Sequence, residues 1–264
     1  MLLSVLQENA VVLDVDANLA VMDEAARRAA AAGASLLLTP ELFATGYAPL
    51  QIASGFDYST LAGIKERLSS IALRHGIGLV YSLPAIDRDG SCRISATLLD
   101  RSGETLLDYA KVHLFGDEER KAFTAASEAP AVVDFEGLKA SLLICYDVEF
   151  PEAVRAAAVR GAELLLVPTA LSAGFDDVPQ LLLRARALES QLTVAYANHS
   201  GHEDGCDFLG GSVVAGPDGA LLAAAGEGPE LLFAEVSAEA AQAARNKVPY
   251  LRERRPDAYR DWES

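Results

Sequence analysis

Strand-like and helix-like segments alternate along the whole chain, and this alternation constrains the fold more than any other feature. Short apolar runs typical of buried strands are separated by longer segments whose apolar residues recur at helical spacing. Strands alternating with covering helices are typical of an α/β fold. Strands are predicted at 2–6, 36–40, 77–86, 92–100, 106–110, 132–135, 138–145, 163–170, 192–200, 210–226 and 231–236. Helices are predicted at about 17–32, 59–75, 151–160, 177–190 and 237–246.

Turn signals between some of these strands indicate hairpins, so the sheets are expected to be mixed and not purely parallel. Asp89-Gly90 and Pro217-Asp218-Gly219 are the clearest of these signals. About a dozen strands exceed what one ordinary sheet holds, which favours two packed sheets with helices outside. The sequence contains no linker, repeat or low-complexity segment, so we expect residues 1–264 to form a single domain.

The composition narrows the partners and the setting. A formal net charge of −16 argues against a nucleic-acid partner, which needs clustered Lys and Arg. No segment reaches the roughly 20 apolar residues of a membrane span, and MLLSVLQENA at the N-terminus is expected to be a strand and not a signal peptide. The three cysteines, Cys92, Cys145 and Cys206, form no disulfide or zinc pattern, so a reducing cytoplasm is expected.

Three reactive side chains stand directly after apolar runs. Glu41 follows LLLTP, Lys111 follows LLDYA and Cys145 follows SLLI. Open α/β sheets place their sites at the carboxyl ends of strands. We therefore expect a carboxylate, an ammonium and a thiol to meet in one cleft.

This combination supports chemistry at a carbon–nitrogen bond. A thiol becomes an effective nucleophile when a carboxylate accepts its proton. A fixed ammonium and a backbone N–H stabilise the negative charge that develops on the attacked amide or nitrile. Each residue alone is more often structural, since an isolated buried Cys usually behaves as a small hydrophobe. The trio fits Cys145 as nucleophile, Lys111 as electrostatic stabiliser and Glu41 as acid and base.

The sequence around these residues resembles the nitrilase superfamily, the carbon–nitrogen hydrolases with a Glu–Lys–Cys triad. Matching segments follow in the expected order over nearly the whole chain: PELFATGY (40–47), YAKVHLFGDEERKAF (109–123), ICYDVEFPEAVRAAAVRGAELLLVPTA (144–170), ARALESQLTVAYANHSG (185–201) and FLGGSVVAGPDG (208–219). The resemblance implies a four-layer αββα sandwich with two mixed β-sheets, and we expect no cofactor and no metal. It also implies a homodimer or higher homo-oligomer, in which a C-terminal tail (about 248–264) with Tyr250, Tyr259 and Trp262 crosses to the partner subunit.

The resemblance also implies roles for individual residues. Glu41 becomes the general base, Lys111 the cation on the oxyanion side and Cys145 the nucleophile. The backbone N–H of Tyr146 would be the second donor to the oxyanion. Thr169, in the matching PTA segment, is a further candidate on the substrate side.

Members of the family have a second glutamate near the lysine, and here Glu118 and Glu119 are both available. Glu119 is favoured because it lies four residues before Phe123, as in short-loop members of the family. The usual Pro-Gly turn after that Phe is replaced by Thr124-Ala-Ala-Ser, which loosens the register.

Glu149 bears on the substrate. Family members that take carboxylate-bearing substrates often place an Arg in this stretch, whereas this chain has DVEF. An acid here would disfavour anionic substrates and tolerate neutral or amino-bearing ones. Alternatively, Glu149 forms an ion pair with Arg155 or Arg186 in the scaffold.

The favoured function is amide hydrolysis, which gives a carboxylic acid and ammonia through a thioester at Cys145. Hydrolysis of N-carbamoyl compounds and of nitriles uses the same triad and remains open. A binding or regulatory module with weak or no turnover is a third hypothesis, against which the intact trio argues.

The histidines allow two other interpretations. A papain-like Cys–His pair would use His113 or His199 as base, but Glu41 makes a histidine base unnecessary. The second interpretation is a metal site in a stretch crowded with possible ligands. The spacing of these residues matches no zinc motif, and the stretch is more typical of a loop on the substrate side. That stretch contains His199, His202, Asp204, Cys206 and Asp207.

Overall fold

Fourteen strands and eight helices make up the part of the chain that the computed structural model describes, residues 1–87 and 89–262. The strands are β1 (Leu2–Gln7), β2 (Leu36–Leu38), β3 (Gly78–Ile86), β4 (Cys92–Leu99), β5 (Thr105–Ala110), β6 (Val132–Phe135), β7 (Leu138–Leu142), β8 (Leu164–Pro168), β9 (Thr193–Ala197), β10 (His202–Glu203), β11 (Cys206–Asp207), β12 (Val213–Ala215), β13 (Leu221–Ala224) and β14 (Glu230–Glu235). The helices are α1 (Val15–Ala31), α2 (Pro49–Gly55), α3 (Leu61–His75), α4 (Gly116–Ala122), α5 (Pro151–Val159), α6 (Leu183–Ser190), α7 (Ala238–Lys247) and α8 (Pro256–Trp262).

Two six-stranded sheets form the centre of the fold. The first has the order β14-β1-β2-β3-β4-β5 and the second the order β13-β12-β9-β8-β7-β6. In each sheet three strands run parallel, β1 to β3 and β7 to β9, and antiparallel strands flank them. Both sheets are therefore mixed, as the hairpin signals predicted. The same pattern of strand directions occurs twice, although the sequence shows no repeat.

Helices cover the outer faces of the two sheets. Side chains alternate across the first sheet, so Leu37 and Leu79 pack beneath α1 and α3, whereas Leu36, Leu38 and Val80 face the second sheet. On the second sheet, α5 and α6 pack through buried apolar side chains, namely Val154, Ala157, Leu183 and Ala187. The predicted four-layer αββα sandwich is the arrangement observed.

Three short helices were not predicted from the sequence. α2, α4 and α8 have seven residues each and lie in segments that were expected to be loops or tail. Fewer than two helical turns display no clear apolar periodicity, which is why pattern reasoning misses them. None of the helices described in residues 1–87 and 89–262 has the length and apolar character needed to cross a membrane.

Several strands end earlier than predicted, and the early ends matter for function. β7 was expected to reach residue 145 but ends at Leu142, and β2 ends at Leu38 instead of residue 40. After β7 the chain turns into a short 3₁₀ helix, Cys145–Glu149. Because the strands end before Glu41 and Cys145, neither residue belongs to a β-ladder, and their side chains can turn towards each other.

A close contact between the sheets at Gly78 predicts that a larger residue there lowers the stability. A Cβ added there would lie 2.5 Å from Cζ of Phe135 on the opposite sheet and 3.0 Å from Cδ1 of Leu36. Because Phe135 is buried and cannot swing aside, Gly78→Ala is expected to destabilise the protein by about 1–3 kcal/mol. Gly63→Ala on exposed α3, where no atom lies within 4 Å, should be neutral or stabilising by up to about 1 kcal/mol. Urea unfolding of both variants tests this, and equal stabilities would contradict it.

Candidate active site

The three reactive side chains predicted at strand ends meet at the seam between the two sheets. Glu41 and Lys111 are 0% exposed and Cys145 is 6% exposed. Glu41 follows β2 and Lys111 follows β5 in the first sheet, whereas Cys145 follows β7 in the second. The backbone N–H of Glu41 donates to the carbonyl of Thr169 (3.1 Å), directly after β8, so a main-chain hydrogen bond joins the two sheets at the site.

Lys111 is held between two carboxylates. Its Nζ lies 2.7 Å from Glu41 Oε1 and 2.7 Å from Glu119 Oε1. Glu119 is fixed in turn, since its Oε1 accepts from Tyr47 Oη (2.6 Å) and its Oε2 accepts from the N–H of Phe115 (2.8 Å). The ammonium is therefore buried in a cage of ionic and hydrogen-bonding partners.

Of the two adjacent glutamates, Glu118 and Glu119, it is Glu119 that reaches Lys111. Both belong to α4, where successive side chains point about 100° apart, so only one can face the site. Glu119 is 1% exposed, whereas Glu118 is exposed to solvent. The loosened register after Phe123 therefore leaves this placement intact.

Burial and neighbouring charge set the ionisation of Glu41. Burial raises the pKa of Glu41 to about 7, against the opposing effect of the Lys111 ammonium, and the Glu119 charge raises it further. Its Oε1 accepts from Lys111, whereas Oε2 makes no hydrogen bond to a nitrogen or oxygen atom of the described residues. Glu41 thus has one oxygen available to accept a proton close to neutral pH.

The Cys145 thiol is protonated at neutral pH for related reasons. Burial raises its pKa above the ordinary value, and the negative charge of Glu41 raises it further, whereas Lys111 lowers it. A thiolate and the Glu41 carboxylate repel each other, which favours the protonated thiol.

Lys111 stays an ammonium in this environment. Burial by itself would lower its pKa, but the negative charges of Glu41, Cys145 and Glu119 outweigh burial, and the net pKa lies above the ordinary value. A permanent positive charge next to the thiol can stabilise developing negative charge.

Cys145 adopts an uncommon backbone conformation. Its φ is +47°, in the left-handed region that residues with a side chain seldom occupy. It opens the 3₁₀ helix, so the N–H of Tyr146 lies in the first turn, where helical N–H groups lack partners within the helix. The Tyr146 ring makes edge contacts with Phe115 (5.3 Å between centroids) and Phe150 (4.9 Å).

Asp147 fixes this turn and was not identified from the sequence. It is fully buried and accepts hydrogen bonds from Tyr109 Oη (2.9 Å), the N–H of Ile144 (3.2 Å), and both the N–H and Nδ1 of His113 (2.8 Å each). An acid inside the apolar run around Cys145 was the one available signal. Asp147 thereby connects the turn that begins at Cys145 (the nucleophile turn) to β5 and to the loop that follows Lys111 (the lysine loop).

His113 supports the loop and does not face the thiol as a base. Its Nδ1 lies against Asp147, and its ring stacks on Phe150 at 3.8 Å between centroids. His113 is thus a packed residue that orients the lysine loop.

Glu149 forms neither of the two ion pairs that were predicted as alternatives, with Arg155 or with Arg186. Arg186 donates to the main-chain carbonyl of Glu149 (2.7 Å), but its ion pair is with Glu189 (3.1 Å). Arg155 donates to the carbonyl of Glu189 (2.5 Å). Burial raises the pKa of Glu149, and the charges of Arg186 and Lys111 lower it in part, which locates its carboxyl within the field of the site.

Thr169 lies next to Glu41, directly after β8. Its carbonyl accepts from the Glu41 N–H, its own N–H donates to the carbonyl of Ala197, and its Oγ1 donates to Tyr196 Oη at 2.9 Å. Thr169 therefore positions the segment after β2 that carries Glu41.

The crowded histidine stretch separates into two unconnected pairs. His199 is buried against Glu203 (2.6 Å), and His202 lies on the exposed β10–β11 hairpin against Asp207 (2.7 Å). Within residues 1–87 and 89–262 no group of three or more His, Cys, Asp or Glu side chains is arranged to hold a metal ion.

The contacts of Asp147 predict a large loss of stability in Asp147→Asn. An amide nitrogen would face donors that now find a carboxylate, so the free energy of unfolding should fall by about 2–4 kcal/mol. Asp134→Asn is the matched control, because Asp134 makes an exposed ion pair with Lys139 that contributes at most about 1 kcal/mol. Urea unfolding measures both, and equal losses would contradict the assigned role.

Known sequences are similar to this chain over most of its length. The model of the carbon-nitrogen hydrolase family matches residues 2–246. A Pseudomonas protegens protein described as a hydrolase in the pqqF 5′ region is 38% identical over 250 residues, 94% of this chain and 87% of that protein. A 2-oxoglutaramate amidase from Bacillus subtilis is 29% identical over 226 residues, 86% of this chain and 87% of that protein.

Solved structures resemble this chain over its whole fold. The amidase from Nesterenkonia sp. AN1 superposes with a TM-score of 0.93 at 46% identity and covers 99% of both chains. Its E41Q mutant, with acrylamide added at the active-site cysteine, superposes with a TM-score of 0.92 at 46% identity over 99% of both chains. The resemblance seen in the sequence is confirmed: this chain belongs to the carbon–nitrogen hydrolase family, within the nitrilase superfamily.

Proposed function

We propose that the protein hydrolyses the carboxamide group of a small molecule to a carboxylic acid and ammonia, through a thioester on Cys145. One observation carries this proposal: a buried thiol lies beside a carboxylate with a free oxygen and a caged ammonium. The similar Nesterenkonia amidase supports the substrate class, since its C145A mutant was solved in complex with butyramide.

In the first half of the reaction, Glu41 accepts the thiol proton while the Cys145 sulfur attacks the carbonyl carbon. Negative charge moves onto the amide oxygen, where the Lys111 ammonium and the N–H of Tyr146 stabilise it. The carbon–nitrogen bond then breaks, and Glu41 returns the proton to the departing nitrogen, which leaves as ammonia. The products of this half are a thioester on Cys145 and a deprotonated Glu41.

In the second half, a water molecule attacks the thioester. Glu41 accepts a proton from the water, and the same two donors stabilise the second oxyanion. The carbon–sulfur bond breaks, the sulfur regains its proton from Glu41, and the carboxylic acid departs. One side chain thus serves as base and acid in turn, which suits a pKa near 7.

Glu119 supports this chemistry by holding the ammonium in place. It fixes Lys111 Nζ at 2.7 Å, and its second oxygen is anchored by the N–H of Phe115. A rigid ammonium stabilises charge at little reorganisation cost.

Substrate selection in this proposal depends on Glu149 and on aromatic side chains near the thiol. The Glu149 carboxyl forms no ion pair among the described residues and adds negative charge to the site, which disfavours anionic substrates. Phe115 contacts both Tyr146 and Phe175, and these rings offer apolar surface to a short acyl chain. Small neutral amides are therefore the proposed substrates.

We further propose one domain over residues 1–264 and a homodimer that uses the tail from about residue 248. A single cluster of buried side chains spans both sheets, which supports one domain. Tyr250 and Trp262 are 47% and 74% exposed, and exposed aromatic side chains are typical of interfaces. All three cysteines are free thiols, which supports a reducing, cytoplasmic location.

Ammonia release from a substrate panel tests the function. We expect turnover of short neutral amides, little turnover of amides of equal length that bear a carboxylate, and no release by Cys145→Ala. Glu149→Gln should narrow the gap between the neutral and the anionic amide. Preference for ureido acids or nitriles would replace the amidase assignment, and equal ammonia from wild type and Cys145→Ala would refute the mechanism.

Glu41→Gln separates proton transfer from thiol reactivity. Since Glu41 must be ionised to accept a proton, kcat/KM of the wild type should rise as the pH increases through about 7. The substitution should lower kcat by about 10²–10⁴-fold. Alkylation of Cys145 by iodoacetamide should persist, because removing the negative charge of Glu41 lowers the pKa of the thiol.

Steady-state kinetics and mass spectrometry of the alkylated protein measure the two effects of Glu41→Gln. Hydrolysis that survives the substitution would show that another group is the base.

A further inference from the structure

A buried ion pair lies directly behind the two active-site glutamates and takes no part in the steps above. His199 and Glu203 are 0% and 2% exposed, and His199 Nδ1 lies 2.6 Å from Glu203 Oε1. The other ring nitrogen, Nε2, lies 2.6 Å from the main-chain carbonyl oxygen of Glu41. Both nitrogens of the imidazole therefore face oxygen atoms.

The hydrogen-bond partners determine the charge of both side chains. The carbonyl oxygen of Glu41 can only accept, so Nε2 of His199 carries a hydrogen. Glu203 accepts a backbone N–H on each oxygen, from Ala10 on Oε1 and from Tyr47 on Oε2, both at 2.9 Å. Burial alone would raise the pKa of Glu203, but His199 and the two backbone N–H groups outweigh burial, and the net pKa is lowered. The carboxyl is therefore ionised at neutral pH, so Nδ1 of His199 also donates. His199 is an imidazolium paired with a carboxylate.

The surroundings of the ring agree with a positive charge. Phe208 stacks on His199 at 4.9 Å between centroids, and Phe43 lies at 5.6 Å. Aromatic faces attract cations. Burial alone would lower the pKa of His199, but Glu203 outweighs it and the net pKa is raised.

Few titratable groups face the His199 ring. Glu203 and Glu41 bond to it, the ring of Tyr47 lies 6.5 Å away, and Glu8 pairs with the His199 backbone at the end of β1. These groups carry negative charge or none at neutral pH, so they favour the protonated ring.

We propose that the His199–Glu203 ion pair is a positioning element that holds both active-site glutamates, an inference that rests on the proposed function. His199 holds Glu41 through its carbonyl oxygen. Glu203 holds the N–H of Tyr47, whose hydroxyl donates to Glu119. One ion pair thus fixes the base directly, and fixes the partner of Lys111 through Tyr47.

Two substitutions of His199 test the arm to Glu41. Asparagine places an amide near Nδ1 and cannot reach Glu41, whereas glutamine places an amide near Nε2 and keeps that contact. His199→Asn should lower kcat at least about tenfold with KM little changed, because the base is misplaced while binding surfaces stay intact. His199→Gln should recover part of the loss. His202→Asn is the matched control, since His202 pairs with Asp207 at 2.7 Å on the surface, and it should behave as wild type.

Two measurements need no turnover and therefore separate this inference from the proposed function. Nitrogen-15 NMR of the wild-type imidazoles should show both nitrogens of His199 protonated to higher pH than those of His202. The pH profile of Cys145 alkylation should shift in His199→Asn and not in His202→Asn. A neutral His199 ring at neutral pH, or an unchanged kcat and alkylation profile in His199→Asn, would overturn the inference. An inactive wild type with a charged His199 and a shifted alkylation profile would instead refute only the amidase assignment.

Discussion

The buried ammonium of Lys111 between two carboxylates is the interaction on which the rest of the site depends. Removing an ammonium from water costs several kcal/mol unless partners of opposite charge surround it, and here Glu41 and Glu119 each lie 2.7 Å away. Two carboxylates around one ammonium leave the cluster with excess negative charge. Burial, together with that excess charge, raises the pKa of Glu41 and of Cys145. In the proposed mechanism the thiol proton moves to Glu41 when the sulfur attacks the substrate.

The fold supplies this cluster by bringing two similar sheets face to face. The first sheet contributes Glu41 and Lys111 from the ends of β2 and β5, and the second contributes Cys145 from the end of β7. A main-chain hydrogen bond from Glu41 to Thr169 joins the sheets at this point, and Asp147 ties the strained nucleophile turn to the lysine loop. Since each reactive side chain follows a strand, its position is set by the core of the sandwich and not by a mobile loop.

Local sequence patterns predict the features that depend on residues close together in the sequence. The strand ends before Glu41, Lys111 and Cys145 were recognisable because apolar runs stop there, and the choice of Glu119 followed from the family resemblance, which places the acid four residues before Phe123. Contacts between distant residues leave no such pattern. Nothing near Glu41 in the sequence indicates that His199, 158 positions away, donates to its carbonyl, and Asp147 is recognisable only once its four donors are brought together. The same holds for Thr169, because the sequence around it does not reveal that its hydroxyl donates to Tyr196.

Mass spectrometry of the enzyme quenched in acid during turnover of a short amide tests the central claim most directly. The account predicts an added acyl group on the peptide that contains Cys145, although this thiol is buried and Cys92 and Cys206 are both more accessible. Selective acylation of the least accessible thiol would mean that Glu41 and Lys111 activate it. An acyl group on Cys92 or Cys206 in place of Cys145 would contradict the thioester mechanism.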